Sequence, residues 1–148
     1  MNENCKICDR IRMIKKGANP YFVKELETGY VVMGDYQFFK GYTLFLCKNH
    51  ATELNELGLV FRQKFLEEMS AVGEAVFKAF KPQKLNYELL GNTNSHLHWH
   101  IFPRYADDPN PQGPVWVIDE NIRCSESAKP TLDELRILKE KLTGSMRD

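Results

Sequence analysis

A chain of 148 residues, 43% hydrophobic and 27% charged, has the size and make-up of one folded domain, expected to span residues 1–148. Its 20 basic residues balance 20 acidic ones, which excludes a disordered chain and leaves no basic excess for gripping the phosphates of a nucleic acid. No apolar run approaches the ~18 residues of a membrane span, and the polar start lacks a signal peptide's basic and apolar blocks, so a cytoplasmic protein is expected.

Cys5-Lys6-Ile7-Cys8 opens the chain with a C-x-x-C pair, which in a reducing compartment reads as metal or redox chemistry. A short helix is predicted over residues 10–16, closed by Gly17 and Asn19-Pro20. Three β-rich runs follow, at residues 21–23, 30–33 and 43–47, punctuated by Gly29, Gly34-Asp35 and Lys40-Gly41. The runs are too close together for parallel crossovers, which need a dozen or more residues, so they predict an antiparallel meander. Phe61, Phe65, Met69, Val72, Val76 and Phe80 recur at helical spacing and form the core face of a long helix that Pro82 closes. Residues 85–90 form a further strand, residues 91–95 a turn, and residues 97–102 the next strand. The proline-rich stretch 107–114 is an irregular loop. A last helix starts at Thr131, where Thr131 and Glu134 fit a capping box, and buries Leu132, Leu135, Leu138 and Leu142. Cys47 reads as a small core residue, and nothing marks Cys124.

The distinctive chemistry sits in His96-Leu97-His98-Trp99-His100, where three of the four histidines alternate with large apolar residues. On a strand, successive side chains alternate faces, so the three imidazoles share one open face at ~6.6–6.8 Å spacing while Leu97, Trp99 and Ile101 pack on the core. Such a rail can bind one catalytic metal ion, or one imidazole can attack an electrophile while its neighbours handle charge and protons. Spacing does not separate the two.

The stretch His96-Leu97-His98-Trp99-His100-Ile101-Phe102 resembles the signature of the histidine triad family of nucleotide hydrolases and transferases. The C-x-x-C pair, Gly41-Tyr42-Thr43-Leu44 leading to Lys48-Asn49-His50, the long helix and the late Trp116 fall in the family's order. The resemblance implies an α+β fold, an antiparallel meander sheet with the long helix and short terminal helices packed on one side, and a homodimer. It implies that His98 attacks the α-phosphorus of a nucleotide to give a nucleotidyl-imidazole that water then cleaves. His100 donates to the phosphate oxygens. Diadenosine polyphosphates and nucleoside phosphoramidates are the implied substrates. By the same resemblance Asn92 holds a phosphate oxygen and Asp35 the ribose, although counting back from Gly41 lands on Gly34. It also implies a structural zinc site of Cys5, Cys8, His50 and His96, closed by four protein ligands. One departure stands out: Tyr42 occupies a position that is often histidine in the family, and a phenol carries no positive charge near neutral pH. The rival readings are a hydrolase with a catalytic metal on the histidine rail, and a nucleotide-binding module with weak catalysis.

Overall fold

The computed structural model describes residues 2–146. The C-x-x-C pair opens the first helix. Cys5 is its N-cap, its Sγ accepting from the Cys8 amide at 3.3 Å, and α1 runs Lys6–Lys15, so the helix begins four residues before the predicted start. Gly17, in the left-handed region at φ 71°, ends it as expected.

Three short strands follow, β1 (Phe22–Glu25), β2 (Gly29–Met33) and β3 (Thr43–Cys47). They pair as the predicted antiparallel meander. Gly41 turns the chain into β3 with φ 96°, and a Cβ there would meet the Phe80 ring at 2.6 Å, so only glycine fits both demands. The long helix α2 spans Leu59–Phe80 and ends on Lys81 in the left-handed conformation, just before Pro82. The hairpin β4 (Lys84–Glu88) and β5 (His98–Arg104) then inserts so that β5 lies between β3 and β4. The result is a five-stranded, wholly antiparallel sheet in the order β1-β2-β3-β5-β4. The α+β class is therefore as the sequence implies.

Both faces of the sheet are covered, which corrects the expectation of helices on one side. Val31, Met33, Phe45 and Ile101 pack on one face against Phe65, Val72 and Val76 of α2 and against Leu135, Leu138 and Leu142 of the last helix. The alternate residues Tyr30, Val32 and Leu46 pack on the other face against Ile7 and Ile11 of α1. Strand alternation makes this inevitable: side chains of a strand without polar alternation are buried only if both faces carry cover.

After β5 the chain passes through a loop, a single 3-10 turn at Val115–Val117, the short helix α3 (Glu120–Arg123) and a second turn at Glu126–Ala128. Val115 is fully buried with Phe39 and Phe102, which ties this segment to the sheet. The last helix, α4 (Leu132–Ser145), starts with the predicted capping box of Thr131 and Glu134. Leu132 is 80% exposed, so the buried stripe begins only at Leu135, one turn later than periodicity suggests.

Candidate active site and metal centre

The register of β5 places His98 opposite Leu46 and His100 opposite Leu44. Paired residues of antiparallel strands share a face, and Leu46 belongs to the α1 side, so both histidines look away from α2. That face is not open, and His98 is only 5% exposed. Its Nδ1 lies 2.7 Å from the His96 carbonyl oxygen. A carbonyl only accepts, so Nδ1–H donates and Nε2 keeps its lone pair. Burial pushes the His98 pKa down, which keeps the ring neutral near pH 7. The His100 ring sits 4.8 Å away, centroid to centroid, and its Nδ1 is 2.6 Å from the Tyr42 hydroxyl. Burial, and then the neighbouring His98, lower the His100 pKa to about 4.

Both rings line a cavity of about 570 Å³ between the sheet, α1, the 91–95 turn and the segment 116–124. That volume is in the range of small-ligand sites. Asn92 and Asp35 line it as well. Both Asp35 oxygens are already held by Arg10 of α1, each at 2.6 Å, a bidentate ion pair that no local pattern announces. Trp116 stands edge-on to His100 with centroids 5.5 Å apart, donates its indole N–H to Glu88, and carries the Arg123 guanidinium 5.0 Å above its ring. Arg10 and Arg123 come from helices far from the signature in sequence, and no local pattern distinguishes them from other surface arginines.

His96 does not join the other two. It precedes β5, is 1% exposed, and turns its ring to the amino end of α1. Its Nε2 donates to the Cys47 carbonyl at 2.7 Å, which leaves the Nδ1 lone pair facing Cys5 and Cys8, each sulfur 3.5 Å away. His50 completes the group, with its Nδ1 3.4 Å from Cys8 Sγ and 3.2 Å from His96 Nδ1. All four donor atoms lie within 4.8 Å of one another. A tetrahedral zinc with Zn–S of ~2.3 Å and Zn–N of ~2.0–2.1 Å holds sulfur and nitrogen ~3.5 Å apart and two nitrogens ~3.3 Å apart. The four side chains therefore suit such an ion in donor chemistry, and the four distances just given match its spacing.

A family model described as the HIT domain matches residues 21–107, more than half of the chain. The chain belongs to the HIT domain family. Among HIT relatives, it is 29% identical over 119 residues to Protein hit of Bacillus subtilis (strain 168), covering 77% of this chain and 79% of that protein. In fold it is similar to a histidine triad protein of Bradyrhizobium japonicum, with a TM-score of 0.75 and 23% identity over 85% of this chain and 90% of the other. It is also similar in fold to a zinc-bound histidine triad family protein of Mycobacterium smegmatis, with a TM-score of 0.63 and 21% identity over 95% and 94% of the two chains. The HIT match takes in His50, Tyr42 and the histidine stretch, but Cys5, Cys8, Trp116 and Arg123 lie outside it.

Proposed function

We propose that the protein cleaves a phosphoanhydride or phosphoramidate bond at the α-phosphorus of a nucleotide through a covalent nucleotidyl-His98 intermediate. The observation that carries this reading is the bond from His98 Nδ1–H to the His96 carbonyl, which leaves Nε2 as an unprotonated nucleophile in a cavity of nucleotide size. The Nε2 pair forms the bond to phosphorus as the bond to the leaving group breaks. A phosphate departs with that electron pair as an anion; an amine takes a proton from solvent as it leaves. Water then adds to phosphorus, loses a proton to solvent, and returns the electron pair to Nε2, releasing a nucleoside monophosphate. The His96 carbonyl offsets the positive charge on the ring while it is nucleotidylated. His100 donates to the phosphoryl oxygens as charge builds on them.

Asn92 holds a phosphate oxygen and Asp35, steadied by Arg10, faces the ribose. Cys5, Cys8, His50 and His96 hold zinc, and four protein ligands leave it no open position, so it organises and does not react. Diadenosine polyphosphates and nucleoside phosphoramidates are the substrate classes, for a cytoplasmic homodimer of one-domain chains. Among the described residues no helix is long and apolar enough to cross a membrane.

The stereochemical course tests the mechanism. A substrate with a chiral α-phosphorothioate, hydrolysed in isotopically labelled water, should react with retention at phosphorus, because two displacements each invert. Net inversion means direct attack by water, the outcome a metal-bound hydroxide would give, and overturns the covalent intermediate.

A further inference from the structure

His98 and His100 are the same side chain, two residues apart, in one cavity, and the reaction needs opposite things from them. A nucleophile must present a bare nitrogen, whereas a phosphate donor must present an N–H. A neutral imidazole has one proton for two nitrogens, so whatever binds Nδ1 decides what Nε2 can do. At His98 the partner of Nδ1 is a carbonyl oxygen, which can only accept. At His100 the partner is the Tyr42 hydroxyl, at 2.6 Å.

We infer that Tyr42 is a positioning residue that sets the tautomer of His100, donating its phenolic proton to Nδ1 so that the ring's own proton sits on Nε2 and serves the phosphoryl group. This rests on the reaction proposed above. Imidazole nitrogen is a stronger acceptor than phenol oxygen, and a phenol is a stronger donor than a neutral imidazole N–H. Burial raises the Tyr42 pKa far out of the physiological range, so the hydroxyl keeps its proton.

The ring is held so that the hydroxyl cannot swing away. Tyr42 stacks on Phe102 with centroids 4.0 Å apart and planes 11° apart, and His100 stacks on the same Phe102 at 6°. Gly34 lies beneath the Tyr42 ring, where a Cβ would overlap it. Gln37 ties down the backbone at both ends of the turn, its amide donating to the Gly34 and Tyr42 carbonyls, each at 2.9 Å. A phenol in place of a second imidazole thus does more than fill space. It removes a group that could share a proton with His100 and substitutes a hydroxyl that stays neutral and keeps its own proton.

Tyr42→Phe removes the hydroxyl and leaves the stack intact. Its kcat should fall about 10- to 100-fold, the range over which losing a histidine's outer hydrogen-bond partner acts at metal sites, with KM changed less than about twofold and the thermal midpoint close to the parent's. Nitrogen-15 NMR of the ring should show Nε2–H at His100 in the parent and a mixture of tautomers in Tyr42→Phe. Tyr42→His, which can donate from its own N–H, should recover most of the lost kcat. An Nδ1–H reading at His100 in the parent overturns the inference whatever the rate, as does parental kcat in Tyr42→Phe. A rise in KM alone also overturns it, since it would make Tyr42 part of the binding surface only. The NMR reading needs no turnover, so it separates failure of this inference from failure of the nucleotidyl-transfer mechanism, which the stereochemical course decides.

Discussion

For His96, His98 and His100 the second nitrogen decides the role of the first. His96 gives its Nε2–H to Cys47 and aims Nδ1 at two thiols; His98 gives Nδ1–H to His96 and frees Nε2. His98→Asn keeps a donor near the His96 carbonyl but offers no nucleophile, and should cut kcat/KM about 10⁴-fold or more, the scale of losing a nucleophile elsewhere, at little cost in thermal midpoint. Alanine is the poorer probe, because a residue only 5% exposed leaves a void when truncated. His96→Cys preserves a tetrahedral ligand and should keep zinc and part of the activity, whereas His98→Cys should keep zinc and lose turnover. Equal loss of zinc in both variants would mean that the histidines share one metal. His100 adds a pH effect on stability. Its pKa is about 4 in the fold against 6.5 for the free side chain, so below pH 6.5 the unfolded chain takes up a proton the folded chain refuses. Its contribution is complete above that pH and is lost as pH falls toward about 4. The thermal midpoint should therefore drop less steeply over this window in His100→Asn than in the parent; parallel slopes would clear His100 of the effect.

At the scale of elements, periodicity and capping revealed α2, α4 and the meander, because each of those signals is local. The three short turns of residues 115–128 left no such signal, since none is long enough to show a period. What anchors the chain there is Arg104, the last residue of β5, which is 4% exposed. It donates to Asp108 and Asn86, each at 3.0 Å, and to the Gly113 and Asn110 carbonyls at 2.7 and 3.3 Å. The loop that looked irregular from its prolines is thus wrapped around one buried guanidinium, and it delivers Trp116 to His100. Arg104→Met leaves the Asp108 carboxylate, whose side chain is 9% exposed, with the Tyr105 amide but without its cation. The expected loss is ~3–5 kcal/mol in urea unfolding, the usual cost of breaking a buried pair from one side. Adding Asp108→Leu should recover part of it. A loss under ~1 kcal/mol, the scale of an exposed pair, would show that the loop is anchored elsewhere.

Across the whole molecule, the Cys5, Cys8, His50 and His96 group joins the start of α1, the end of β3 and the entry to β5. A metal there would close loops of tens of residues, and binding energy at a site absent from the unfolded chain is folding energy. Purified protein should carry about one zinc per chain, as one closed four-ligand set implies, and elemental analysis after chelator-free purification checks this. Chelation should lower the thermal midpoint strongly while changing kcat much less, because no ligand of the group is His98 or His100; protein without zinc would remove the metal assignment. The long helices, the strands and the reactive residue types are legible in the chain alone. Alternation, helical period, caps and the spacing of histidines and cysteines are properties of neighbouring residues, and neighbours are what a sequence displays. The folded chain alone shows the hydrogen-bond partner of each ring nitrogen, α1 covering the face expected to be open, Arg10 on both oxygens of Asp35, and Tyr42 meeting His100 across 58 positions. Those outcomes depend on strand order and on which face each helix covers, so the chemistry of each nitrogen is set by groups that sequence distance hides.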